Sequence, residues 1–110
     1  MKDLVILQKI YDFMIYFFPI VDRFPKREKF VLCSQIKNCV LDIAKEIVRA
    51  NKSRNKKPIL YELDVKLEEL RLLIRFSYDR RFLSPKSYEH SSKLLAEIGR
   101  LLGGWIKSQE

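Results

Sequence analysis

Leu60-Tyr61-Glu62-Leu63-Asp64-Val65-Lys66-Leu67-Glu68-Glu69-Leu70-Arg71-Leu72-Leu73-Ile74 is the stretch that decides how this chain folds. Leu60, Leu63, Leu67, Leu70 and Ile74 recur at alternating three- and four-residue steps, which line one face of an α-helix and do not alternate as a strand would. The spacing predicts a helix over about 59–80. Working outward, Ser84-Pro85 offers an N-cap hydroxyl and then a proline at the first helical position. The helix it starts carries Tyr88, Ser91, Leu95, Ile98, Leu102 and Ile106 as its stripe. Upstream, Asn51 to Pro58 has no apolar residue before Pro58 and reads as a loop. Before it, residues about 25–51 place Cys33, Ile36, Val40, Ile43 and Ile47 on one face, and residues about 3–22 do the same with Leu7, Ile10, Met14, Phe17 and Val21. Pro19 falls on the polar side of that first helix, and Phe24-Pro25-Lys26 ends it.

Four helical patterns with short connections and no strand-like alternation predict an all-α, up-down antiparallel four-helix bundle. A chain of 110 residues makes one domain, 1–110, able to bury roughly two-thirds of the surface its unfolded form exposes. One bundle does not absorb all the apolar residues. Tyr61, Val65, Leu72 and Phe76 form a second stripe nearly opposite the leucine face of the third helix. Ile6, Phe13 and Ile20 lie on the margin of the first helix's stripe. Exposed apolar patches mark interaction surfaces, so Leu72 and Phe76 are candidates for self-association; the alternative is that splayed helices bury more than an ideal stripe.

All three glycines fall in Glu97-Ile98-Gly99-Arg100-Leu101-Leu102-Gly103-Gly104-Trp105-Ile106-Lys107. Each costs about 1 kcal/mol relative to alanine inside a helix. Gly99 and Gly103 continue a series of small residues with Ser92 and Ala96, a stripe that lets another helix backbone approach closely. Gly104 lies off that stripe and reads as a helix-end residue. Trp105 covers the end of the core or anchors an interface.

The 22 basic and 14 acidic residues leave a net charge of +8, which favours a polyanionic partner without choosing among nucleic acid, an anionic membrane and an acidic protein. Arg49, Lys52, Arg54, Lys56 and Lys57 follow one another with no acid from Arg49 to Lys57, and Arg71, Arg75, Arg80 and Arg81 add to them along and beyond the third helix. Such density can neutralise phosphates and release counterions. Equally, Asp64, Glu68, Arg71 and Arg75 can pair along one solvated face. Membrane binding is the weakest option, because the bundle and its assembly use the apolar residues.

Catalytic constellations are missing, so no enzyme, cofactor or metal is expected. His90 is the lone histidine; no Glu-x-x-His or zinc spacing occurs, and Arg80 and Arg81 stand too far from His90 for a paired ribonuclease site. Cys33 and Cys39 sit about 120° apart on a helix, which suits neither a disulfide nor a redox pair. Two structural thiols imply a reducing compartment. With no signal-peptide pattern, and with Phe13 to Val21 too short to span a bilayer, the expectation is cytoplasmic.

Asp22-Arg23-Phe24-Pro25-Lys26 with Phe30, Leu70-Arg71-Leu72-Leu73-Ile74-Arg75-Phe76, Phe82-Leu83-Ser84-Pro85-Lys86-Ser87-Tyr88-Glu89 and the closing Glu97 to Lys107 occur in an order that resembles the accessory variability determinant (Avd) family. These are the small helical partners of the reverse transcriptase in diversity-generating retroelements. The chain also resembles, less well at its C-terminus, the four-helix proteins encoded in intervening sequences of bacterial 23S ribosomal RNA genes. The first resemblance implies a barrel-like homopentamer with a basic surface that binds the reverse transcriptase and RNA, with DNA a further candidate, during mutagenic cDNA synthesis. Arg71 and Arg75 match the pattern of the third helix and are the residues it assigns to polymerase or RNA contact. The second resemblance implies a structural bundle that binds a protein partner and has no specific nucleic-acid role.

Overall fold

The computed structural model describes residues 2–110, with side chains from Val5 onward. Helix α1 spans Lys2–Asp22, α2 spans Ser34–Lys52, α3 spans Lys57–Asp79 and α4 spans Pro85–Ser108, with no strand among the described residues. Successive helices run antiparallel. Each packs on its chain neighbours and α1 closes against α4, giving a body of 42 × 25 × 20 Å. The connections of α1 to α2 and of α3 to α4 therefore share one end, and the α2–α3 connection lies at the other.

The apolar stripes account for the core. Leu60, Leu63, Leu67, Leu70 and Ile74 of α3 are all buried, as are Ile36, Val40, Ile43 and Ile47 of α2 and Leu95, Ile98 and Leu102 of α4. On α4 it is Trp105, not Ile106, that closes the core. Helix α1 is rotated from the expected face: Ile6 and Phe13 are fully buried, while Leu7 and Met14 sit at the margin. Phe13 stacks on Phe17 at 5.1 Å, and bringing its ring inward beside that of Phe17 covers more area than Met14 would. Pro19 sits on the solvent side within α1.

Local chemistry sets the helix ends. Ser84 caps α4 by accepting a hydrogen bond from the Ser87 N–H at 3.0 Å, with Pro85 next in the chain. The α2–α3 loop is shorter than expected, only residues 53–56. The second helix does not begin cleanly at Pro25: a 3-10 turn at Lys26–Glu28 and a π-helical turn at Lys29–Cys33 lead into it. Buried Ser77 and Ser91 donate to the carbonyls of Leu73 and Tyr88, at 2.8 and 3.0 Å, so neither hydroxyl is left unpaired in the core.

Candidate nucleic-acid interface

The bundle separates the expected cations into three places. At the α2–α3 end stand Arg49, Lys52, Arg54 and Lys57, all exposed, with Arg49 4.0 Å from Glu46. Lys56 differs from its neighbours. Its ammonium donates to the carbonyls of Ala50, Asn51 and Ser53 at 2.9, 3.1 and 2.7 Å. These carbonyls cluster at the C-terminal end of α2, where that of Ala50 also accepts the Ser53 N–H at 3.2 Å, so Lys56 is a cap whose donors are occupied.

Along the side of the bundle, Arg71 and Arg75 flank a groove of ≈ 310 Å³ between α3 and α4, lined also by Glu68, Leu72, Tyr88 and Ser92. The Arg71 guanidinium pairs with Glu68 and donates to the Leu95 carbonyl at 3.3 Å. It lies directly over Gly99: a Cβ there would stand 2.6 Å from Nη2 of Arg71 and 3.4 Å from Leu67. Gly99 thus admits an arginine that clamps α3 to α4. Arg75 is free by comparison, its side chain 74% exposed and 3.9 Å from Asp79. Gly103 and Gly104 have open space where a Cβ would be, so within this chain no close approach requires them. Nor does Gly104 end the helix, which continues to Ser108.

The other end is the more densely cationic one. Arg80 and Arg81 leave α3 there, beside Arg23, Lys26, Arg27 and Lys29 of the α1–α2 connection, all exposed. Phe82 gathers them. Its ring is 5.5 Å from that of buried Phe24, and the guanidinium carbons of Arg27 and Arg80 lie 5.9 and 5.6 Å from its centre. Arg81 has φ 66°, the left-handed region. It ends α3 in a Schellman turn: the Arg81 N–H donates to Tyr78 O at 2.8 Å and the Phe82 N–H to Ser77 O at 2.9 Å. Glycine is the usual residue at that position, and an arginine there costs about 1 kcal/mol or more. None of Arg23, Lys26, Arg27 and Lys29 is among the residues that the sequence singles out for binding; Arg23 and Lys26 enter there only through the helix break and the family resemblance. Their density matches that of Arg49 to Lys57, and that was the available signal.

No group of three metal-ligating side chains occurs among the described residues. Cys33 and Cys39 are free thiols that donate to the carbonyls of Val21 and Lys66. His90 is exposed and meets the ring of Tyr16 edge-on at 4.7 Å. No helix is long and apolar enough to cross a membrane among the described residues. On α3, the outward stripe Tyr61, Val65, Leu72 and Phe76 is exposed, Leu72 most of all at 67%. Trp105, by contrast, is buried.

The sequence matches the family described as bAvd-like over residues 4–109. Among solved structures, the chain is similar to a protein of unknown function from the S23 ribosomal protein family of Bacteroides thetaiotaomicron. The match has a TM-score of 0.87 at 22% identity and covers 97% of this chain and 99% of that one. At that identity the likeness carries the fold alone. No curated protein matches the sequence.

Proposed function

The chain belongs to the bAvd-like family, and from that premise we propose that it is a noncatalytic accessory protein of a diversity-generating retroelement, bridging a reverse transcriptase and its template RNA. The observation that carries the reading is the distribution of its charge. Exposed cations collect at both ends of the bundle, separated by the length of α3, about 34 Å at 1.5 Å per residue. A molecule that holds two partners needs two surfaces, and each end is suited to a polyanion. In this reading Arg75, loosely paired and exposed, contacts the polymerase or RNA, whereas Arg71 serves chiefly to hold α3 against α4.

Self-association is part of the same proposal. The stripe Tyr61, Val65, Leu72 and Phe76 lies opposite the core of α3, where a lone bundle leaves it in water. Burying it against further copies, in the pentameric arrangement that family membership implies, removes that cost. Leu72→Lys with Phe76→Lys should leave the helical content intact and lower the mass measured by analytical ultracentrifugation. A wild-type chain that stays monomeric at micromolar concentration contradicts the assembly.

RNA affinity measured across a salt series tests the central claim. The logarithm of the binding constant should fall steeply with that of salt, by about 0.7 to 0.9 per phosphate contacted. A weak, flat response refutes RNA binding and leaves a purely protein-binding bundle. Arg75→Glu should weaken capture of the reverse transcriptase or of RNA without unfolding the chain. If both persist undiminished, Arg75 is only an ion-pair partner on a solvated face.

A further inference from the structure

Phe30 is the most exposed large apolar side chain described, at 84%, and Val31 follows it at 70%. Both lie in the π-helical turn Lys29–Cys33, which turns Leu32 and Cys33 into the core and leaves two consecutive apolar side chains outside. Turns of this kind are uncommon and recur at functional sites. The surroundings are cationic apart from Glu28, which pairs with Arg27 at 3.4 Å. Lys29 Nζ is 5.7 Å from the centre of the Phe30 ring, Arg27 is one turn away, and Arg27 and Arg80 converge on Phe82 at the same end.

We propose that Phe30 is a stacking platform for an unpaired base of single-stranded nucleic acid, with Lys29, Arg27 and Arg80 holding the adjoining phosphates. The inference rests on the nucleic-acid reading above and specifies its form and place. Stacking needs a single accessible ring and tolerates any base, because every base has a π-face. Lys29 Nζ lies over one face of the Phe30 ring, so the base takes the other face, and the flexible lysine can swing from the ring to a phosphate one sugar away. Two apolar side chains are too small an area for a stable protein interface, which buries about 800 Å² per partner. They are also too short a stripe for a membrane-surface helix: charged residues precede them and the next two face the core. Arg81 adds an independent sign, since an arginine occupies a left-handed position at this end where glycine would fit without strain. A duplex, with its bases already stacked on one another, has no use for the platform.

The test uses the full chain, a labelled oligouridine and a duplex of equal length, with affinities read by fluorescence anisotropy at several salt concentrations. Phe30→Ala should weaken oligouridine binding about tenfold while leaving duplex binding and the salt slope unchanged. Arg80→Gln with Lys29→Gln should instead reduce the salt slope on both ligands. Phe30→Trp should give an indole emission that oligouridine quenches, against the steady background of buried Trp105. Unchanged oligouridine affinity in Phe30→Ala, an equal loss on both ligands, or no quenching in Phe30→Trp overturns the platform while RNA binding as such survives. A wild-type chain that binds neither ligand refutes the broader reading, and the platform with it. If Phe30→Ala abolishes binding to phosphatidylserine vesicles or to the reverse transcriptase and spares oligouridine, the patch serves a membrane or a protein and the proposal is wrong.

Discussion

Replacing Lys56 with methionine separates a structural cation of this protein from those proposed to bind nucleic acid. Methionine keeps most of the side-chain stem and removes the ammonium, which holds the carbonyls of Ala50, Asn51 and Ser53 within 2.7 to 3.1 Å. A hydrogen bond to a charged group contributes about 1.5–3 kcal/mol, and a cation at a helix C-terminus about 0.3–1 kcal/mol. The three bonds share one ammonium, and the carbonyls of half-buried Asn51 and Ser53 rehydrate when it is gone, so the contributions do not add. The expected loss is about 2 kcal/mol. With an unfolding entropy of about 2.1 cal/mol/K per residue over the chain, that lowers Tm by about 9 °C. Thermal unfolding followed by circular dichroism reads the change, with Lys57→Met as the partner experiment. Lys57 is exposed in the first turn of α3, and its loss should leave Tm within about 2 °C while reducing the salt dependence of RNA binding. The reasoning fails if Lys56→Met unfolds at the wild-type temperature and loses RNA affinity to the same extent as Lys57→Met.

Arg81→Gly should raise stability by about 0.5–1 kcal/mol, since the left-handed turn then costs nothing, and yet weaken oligonucleotide binding; a fall in Tm in denaturation scans contradicts the account of the turn. Gly103→Ala should stabilise the isolated bundle by about 0.5–1 kcal/mol, because a Cβ there meets open space. Gly99→Ala should gain little or nothing, since its Cβ would displace the Arg71 guanidinium, and paired urea titrations distinguish the two. The thiols should resist alkylation at pH 8 until the chain is unfolded. Burial pushes the Cys39 thiol up to about 11, with Glu69 adding to the effect, and burial likewise raises Cys33. Their contribution to stability is fully present below the unfolded thiol's ordinary value of about 8.5. Between there and about pH 11 the unfolded chain ionises first, so stability falls as pH rises. Cys39→Ser should remove part of this fall, and a pH profile identical to that of the wild type would show that the half-buried Cys39 thiol is not raised.

The helices were legible because their periodicity is strong. The five-residue leucine face of α3, the Ser84-Pro85 start of α4 and the Ile36 to Ile47 face of α2 all required only counting. The face of α1 was harder to read, because apolar residues cover more than half its circumference and the choice between Phe13 and Met14 depends on neighbouring helices. The π turn has no sequence rule, and its two outward apolar residues cannot be told from core residues without coordinates. Among the candidate site residues, density of charge was visible and geometry was not. Lys56 looks like Lys57 until its three carbonyl partners appear, and Arg71 looks like Arg75 until Gly99 is seen beneath it. The cluster of Arg23, Lys26, Arg27 and Lys29 with Arg80 and Arg81 joins residues more than fifty positions apart, which only the return of the chain to one end brings about.

The π turn at Lys29–Cys33 also bears on how such a protein changes over generations. A π turn holds one residue more than the α-helical path between the same two points, so the segment carries one residue that an α-helix would not need while Leu32 and Ile36 stay buried. Deleting Val31 would return the segment to ordinary α geometry and swing Phe30 around the helix axis, leaving the buried residues of α2 in register. Lineages can therefore gain or lose the outward ring through a single codon's insertion or deletion, without repacking the interior. At this end of the bundle, surface novelty and core integrity are inherited separately.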